Sequence, residues 1–362
     1  MKEFPSNKFP LNLAEEEKYF FENKTVKFVI PAKTRLIKNA FISHEGLVLK
    51  NGFLIKRCAF NLKGKQDNTF YYPFWRKAIE QHLVSKFGKS LVVHNFKERP
   101  LLLFYTKWFN YAFWITDCLL RLTIAEEEGW LDKALVIYPE EWENIPYVLQ
   151  SLEAFKFEKY KLPAGEHVFS SRLVMPETRE WTSSFSSSQL MKVKNRLFQY
   201  EETIKFEKKF PNKIYLTRAF RGIRSVDNES EVLELLMKYK YESVIFEKLS
   251  FWEQVHIMKN ATHFISIHGA GFSNILFMNQ GANVIELINK SYAEKEYNFP
   301  FWHLANANGL TYIAQFCRIK DSENNNLHYG IDSEINEEDF LVNQNVIVDL
   351  ELLKSNLNCF EK

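Results

Sequence analysis

From residue 213 to residue 316 the chain repeats one pattern: a short apolar run, a turn, then a longer stretch of helical periodicity. The spacing predicts strands over 213–217, 243–247, 263–267, 282–288 and 310–316, and helices starting near Asn228, Ser250, Gly271 and Ala293. Runs this short and this apolar suit strands covered on both faces. Strands separated by helices pair in parallel, through right-handed crossovers. Ligands of such sheets gather at the carboxyl ends of the strands, where the strand order reverses.

Upstream, the pattern is α/β again from about residue 91. Strands are expected over 90–93, 100–105 and 133–138, and a strong helix over 109–128 places Trp114, Cys118, Leu119 and Leu122 on one face. A second helix, 139–155, opens on a proline with Glu140, Glu141 and Glu143 in its first turn, where the helix dipole favours acids. Residues 36–54 read as two strands around His44-Glu45-Gly46 and the hairpin-type turn Asn51-Gly52. The Ser/Thr-rich stretch 181–187 precedes a long charged helix, 188–209, which puts a boundary near residue 205. The expected organisation is therefore an acceptor-side domain 1–205 with a small β element, a Rossmann-like domain 206–330, and a tail 331–362 packing back on the body. Two such α/β domains in series form a cleft between them.

Composition excludes some classes of partner. A formal net charge of +2 gives no basic stripe of the kind nucleic acid requires. The four cysteines, Cys58, Cys118, Cys317 and Cys359, lie far apart without a CxxC pair, so free thiols in a reducing compartment are expected rather than zinc. With neither a signal-type apolar run at the start nor about 20 consecutive apolar residues anywhere, a cytoplasmic protein is expected. The run Phe70-Tyr71-Tyr72-Pro73-Phe74-Trp75 admits peripheral contact at the inner face of a membrane, although a packed loop accounts for it as well. Aromatic residues make up 16% of the chain, 33 of them Phe, enough to serve the core and to line a groove for sugar rings.

Two turns of the second domain can carry chemistry. His268-Gly269-Ala270-Gly271 follows the strand 263–267, and its small residues let another group approach the backbone. The helix after it aims free N–H groups at the turn, His268 adds a donor, and Asn274 can fix the loop. A tight turn that needs glycine for sterics is the competing explanation. Arg218 ends the strand 213–217, with Arg221 and Arg224 on the same loop: three arginines in seven residues, each able to fork onto two phosphate oxygens. Asn228-Glu229 reads as a helix cap with a favourable acid. Glu286, at the end of a buried strand, is either paired with a cation or accepts hydrogen bonds from sugar hydroxyls such as a ribose diol. There is no GxGxxG, no GxxxxGK[ST], no GxSxG and no Asp-x-Asp, which disfavours a dinucleotide oxidoreductase, an NTPase, an α/β-hydrolase and a carboxylate-held divalent metal.

Taken in order, these segments resemble glycosyltransferase family 61: Tyr215-Leu216-Thr217-Arg218, Arg224-Ser225-Val226-Asp227-Asn228-Glu229, Leu249-Ser250-Phe251-x-x-Gln254, His268-Gly269-Ala270-Gly271-x-x-Asn274 and Val284-Ile285-Glu286. The resemblance is strong over 213–290 and thinner in the first domain, where Asn110-Tyr111-Ala112-Phe113-Trp114-Ile115-Thr116-Asp117 is similar to the family's Asn-x-x-His-Trp-x-x-Asp. It implies a GT-B arrangement, two Rossmann-like domains facing a central cleft. It also implies an inverting transfer of a sugar from a UDP-sugar, a co-substrate rather than a cofactor, to a glycan or lipid-linked saccharide, as in the capsular-polysaccharide type of member. By matching position, Arg218, Arg224, His268, Gly269, Ala270 and Gly271 would grip the diphosphate, with Asn274 and Glu286 in support and no metal. Asp117 and His268 are the catalytic candidates; Asp117 equally suits an i+4 pair with Arg121. Phe113 stands where the family has His, which leaves a non-catalytic nucleotide-sugar or glycan-binding protein as the alternative.

Overall fold

The computed structural model describes residues 7–22, 24–26, 29, 32–58, 72–87, 92–107, 109–178, 184–218, 223–294, 299–319 and 342–361. Arg221 and the stretches 59–71, 179–183 and 320–341 lie outside them, and with them Phe70 and Tyr71 of the aromatic run and part of the Ser/Thr-rich stretch. Contacts divide the described residues into two units, one of 29–205 with 250–252, the other of 7–26, 206–249 and 253–361.

The first unit is built on a mixed eight-stranded sheet. Its strands are β1 (Lys33–Ile42), β2 (Val48–Lys50), β3 (Phe53–Leu54), β4 (Val93–Phe96), β5 (Leu101–Leu103), β6 (Leu135–Pro139), β7 (Lys159–Leu162) and β8 (His167–Glu177), in the order β3-β2-β1-β8-β5-β6-β7 with β4 also on β8. The β8-β5-β6-β7 half is parallel, whereas β1 to β3 join it antiparallel. The expected Rossmann-like character is thus confined to one half of this sheet. Asn51 and Gly52, with φ of 51° and 79°, make the two-residue turn between β2 and β3. The expected helix 139–155 is broken: Pro146 cannot continue a helix and holds Ile145 extended, so a 3₁₀ segment Glu140–Asn144 precedes a short helix Pro146–Leu152. The helix of 111–127 forms as expected but carries a π segment, Trp114–Cys118. Ser186 caps the helix Ser187–Glu201, accepting from the Gln189 N–H.

The second unit holds five parallel strands, β9 (Lys213–Leu216), β10 (Glu242–Val244), β11 (His263–Ile267), β12 (Asn283–Asn289) and β13 (Thr311–Cys317). Their order, β10-β9-β11-β12-β13, reverses between β9 and β11. Strand alternation sends Tyr215, Ile265, Ile285, Leu287 and Ile313 to one face, where Val232 and Leu236 of the helix Glu229–Lys238 and Leu353 and Leu357 of the helix Leu350–Cys359 cover them. On the other face Phe264 meets Phe272, and Phe316 meets Phe20 and Phe299.

Residues 7–26 depart from the expected division, since they belong to the second unit rather than the first. Strand β13 is an edge, and its outward carbonyls need donors. The Leu11 N–H reaches the Tyr312 carbonyl at 2.9 Å and Asn12 reaches that of Ala314 at 3.0 Å. Phe21 then packs on Phe299 and Trp302. At the other end of the chain, 343–348 runs beside the loop 224–228, with Asn228 bonding Val348 through both its N–H and its carbonyl at 2.9 Å. Asn228 stands at the N-cap position of the helix Glu229–Lys238 as expected, with Glu229 in the first turn, but its side chain ties this segment instead of making a capping bond.

Candidate functional site

The loops after β9 and β11, on either side of the reversal, carry Arg218 and His268-Gly269-Ala270-Gly271. They are in contact. A β-carbon built on Gly269 would collide with Nη1 of the Arg218 guanidinium. Backbone conformation is not the reason for this glycine, because its φ of 162° is extended; the reason is the guanidinium lying over it. Gly271 is constrained in the same way by Leu216, whose Cδ2 stands 2.9 Å from where a β-carbon would be. The Ser266 hydroxyl also ties the strands, donating to the Leu216 carbonyl at 3.1 Å.

Below the turn lies a buried polar chain. Nδ1 of His268 is 2.6 Å from Oε1 of Glu286, and the Tyr312 hydroxyl donates to the other carboxylate oxygen. Glu286 has no exposed surface, while 13% of the His268 side chain is exposed. Both oxygens of Glu286 are thus engaged within the protein, one by His268 and the other by Tyr312. Burial and the adjacent carboxylate push the Tyr312 hydroxyl well above the ordinary tyrosine range, so Tyr312 stays a donor. A carboxylate at Nδ1 fixes the imidazole tautomer, leaving Nε2 as the working nitrogen. The ring is held between Phe301 and Tyr292, with centroids 5.2 and 5.7 Å away. Nothing in local sequence pairs Tyr312 with Glu286. The available signal was a polar aromatic in an otherwise apolar strand.

The element after the turn is a 3₁₀ helix, Ala270–Phe277, where a regular helix was expected. Its carbonyls are claimed by side chains: Ser273 donates to Ala270 at 2.5 Å, Asn274 to Gly271 at 3.0 Å, and Asn308 to Ile275, Leu276 and Met278 at 2.8 to 3.1 Å. Such bonds compete with the helical ladder. Asn274 is fully buried, so its place is inside the loop's scaffold. The first N–H groups of the 3₁₀ helix, the guanidinium and the imidazole are all suited to an oxyanion.

Other motif residues are accounted for by scaffolding. Glu229 accepts from the Thr217 hydroxyl at 2.6 Å and from Tyr215 at 2.8 Å, which fixes the end of β9 just before Arg218. Gln254 bonds the carbonyls of Phe246 and Leu249. Arg224 is half-buried with a left-handed φ of 51°, and its N–H donates to the Asn343 carbonyl at 3.3 Å. Its backbone is thus set by the C-terminal segment.

In the first unit, Asp117 sits in the π segment with no exposed surface. One oxygen pairs with Nε of Arg121 at 2.9 Å and the other accepts from Thr178. That is the i+4 pair, not the placement of a base that meets substrate. Phe113 is half-buried, one residue before the π segment. Among the described residues, no group of three or more His, Cys, Asp or Glu side chains could hold a metal ion, and no helix is long and apolar enough to cross a membrane.

Residues 111–285 match the family model described as Glycosyltransferase 61. Over 78 residues the chain is 38% identical to the EGF domain-specific O-linked N-acetylglucosamine transferase of Drosophila melanogaster, a stretch that covers 21% of this chain and 15% of that protein.

Proposed function

We propose that this chain, whose residues 111–285 match the glycosyltransferase 61 family model, is an inverting, metal-independent glycosyltransferase that moves a sugar from a UDP-sugar to a glycan or other saccharide acceptor. The observation that carries this reading is the placing of the Arg218 guanidinium against Gly269, beside an imidazole backed by Glu286 and Tyr312. Departure of a nucleoside diphosphate builds negative charge on its phosphate oxygens. Arg218 and the N–H groups after Gly269 are preorganised donors for that charge, joined by Nε2 of His268 when the imidazole carries a proton there, and donors of this kind are among the largest sources of catalysis. Gly271 keeps Leu216 and the backbone close, and Asn274 holds the loop. Arg224 would add a second fork once a diphosphate is present. In this reading the unit of 7–26, 206–249 and 253–361 is the donor domain of a GT-B pair and the unit of 29–205 with 250–252 the acceptor domain. The Drosophila relative's name makes UDP-N-acetylglucosamine the first donor to test.

Arg218→Ala should lower turnover at least tenfold, which is about 1.4 kcal/mol of transition-state stabilisation. Activity should survive EDTA. Near-normal turnover in folded Arg218→Ala, or strict dependence on added Mn²⁺, would count against the assignment. The second reading, a non-catalytic nucleotide-sugar-binding protein, is favoured by Phe113 and by the engagement of Asp117 with Arg121. It requires donor binding by calorimetry without transfer or hydrolysis.

A further inference from the structure

Strand register builds the polar chain under the glycine turn. Glu286 of β12 stands opposite Ser266 of β11 and Ala314 of β13. Its two oxygens reach along the same face of the sheet to residues two positions away from these. One meets Nδ1 of His268, two residues beyond Ser266, and the other accepts from Tyr312, two residues before Ala314. The His268 backbone is held as well, since its N–H donates to the Leu287 carbonyl at 2.9 Å. Three neighbouring strands therefore orient one imidazole, and every part belongs to the second unit.

This arrangement fixes a proton count. Glu286 is fully buried. Burial and the adjacent carboxylate hold the Tyr312 hydroxyl protonated, so its hydrogen points at the carboxylate. The contact of 2.6 Å between Oε1 and Nδ1 needs one proton between the two atoms. A carboxylate and a neutral ring supply it as Nδ1–H, and Nε2 then carries a lone pair. In that form Nε2 can accept a hydrogen bond but cannot donate one to a phosphate oxygen. Donation from Nε2 needs one more proton on the pair.

The surroundings bear on when that proton arrives. The Arg218 guanidinium lies against Gly269, the residue after His268. Tyr292 of the helix Lys290–Glu294 has its ring centroid 5.7 Å from the imidazole, and Phe301 of the helix Pro300–Ala307 has its own at 5.2 Å. Glu286 is the acid against the ring, and Arg218 is the cation at the turn. A diphosphate at the turn would add negative charge near the 13% of the His268 side chain that is exposed. Such an anion favours a charged N–H donor facing it.

Resting on the donor-site reading above, we propose that Glu286 and Tyr312 are positioning residues that hold the resting His268 in its Nδ1–H form, so that binding of a nucleotide-sugar diphosphate is coupled to uptake of a proton at Nε2. The proton comes from solvent. It produces an Nε2–H donor on the diphosphate, with Glu286 opposing the ring's charge from the Nδ1 side. Arg218 and the backbone N–H groups keep their protons throughout and confer no such coupling. Donor affinity therefore falls by up to about tenfold per pH unit as pH rises above the range in which the unliganded ring is protonated.

The test is calorimetry of wild type, His268→Gln, Glu286→Gln and Tyr312→Phe with UDP-N-acetylglucosamine, UDP-glucose and UDP-xylose. The phosphates of these diesters do not titrate near neutral pH, so the ligand contributes no protons of its own. Titrations at about pH 8, above the ordinary imidazole range, are compared in Hepes and Tris, which differ in ionisation enthalpy. Wild type should take up about 0.5–1 proton per donor bound, and His268→Gln none. Glu286→Gln should also bind without uptake, because its amide can donate to Nδ1 and so place the ring proton on Nε2 beforehand. Tyr312→Phe should displace the uptake to higher pH, since a buried carboxylate lacking a donor on one oxygen holds a proton more tightly. A merely structural Tyr312 would instead change affinity alike at every pH. The wild-type comparison needs no variant, so the coupling is decided even if Glu286→Gln fails to fold. Donor binding without proton uptake in wild type, or uptake retained in His268→Gln, overturns the coupling and leaves the donor site standing. A wild-type protein that binds none of the three donors overturns the donor-site reading and the coupling with it.

Discussion

Gly269→Ala separates a ligand-holding turn from a merely tight one. The added methyl group meets Nη1 of Arg218, the far end of a flexible side chain, and the extended φ of 162° suits alanine. The fold therefore has an inexpensive way to absorb the change: Arg218 moves. Stability should fall by less than about 1 kcal/mol, below the range typical of overpacked cores. Affinity should fall by much more. A hydrogen bond to a charged group contributes about 1.5–3 kcal/mol, so losing the Arg218 fork should weaken UDP binding by roughly 10- to 150-fold. The decisive measurement is a double-mutant cycle by calorimetry. Against an Arg218→Ala background the methyl group has nothing to displace, so Gly269→Ala should be nearly silent. Contacting residues in such cycles show interaction energies of about 0.5–3 kcal/mol. Additive effects of the two changes would refute the argument, as would wild-type affinity in Gly269→Ala.

Two further outcomes concern stability. Asp117→Asn leaves the buried Arg121 guanidinium without its carboxylate, so it should cost about 3–5 kcal/mol in chemical denaturation; a variant of undiminished stability that lacks turnover would restore Asp117 as a base. Burial lowers His303 from 6.5 to about 3, so in the folded protein it stays neutral while the unfolded chain takes up a proton below 6.5. Stability should then decline as pH falls from 6.5 toward 3, by about 2 kcal/mol at pH 5, and His303→Gln should flatten that limb of the pH–stability curve.

How legible the site was depended on how local its causes are. Strands 263–267 and 213–217 announce themselves by apolar runs, and the glycine turn follows one of them directly. Contact between Arg218 and Gly269 depends on strand order, which no local pattern contains. Tyr312 lies 26 residues beyond Glu286, so only the register of β12 and β13 brings them together. The position of Asn228 at a helix start is a local habit of asparagine and is legible; the partner of its side chain is Val348, 120 residues away, which is not. The break at Ile145 was readable from Pro146 and was outweighed by the acids at 140–143.

The segment that covers β13 has a practical meaning for anyone dividing this protein. A fragment starting at 206 would carry all five strands and both site loops, yet would bare the Tyr312 and Ala314 carbonyls that Leu11 and Asn12 now occupy. It would also uncover the aromatic surface of Phe299, Trp302 and Phe316 where Phe20 and Phe21 sit. An open edge beside an apolar face is an invitation to self-association. Residues 7–26 supplied as a separate peptide should restore solubility to such a fragment, which makes this piece of chain a natural complementing half for a split protein.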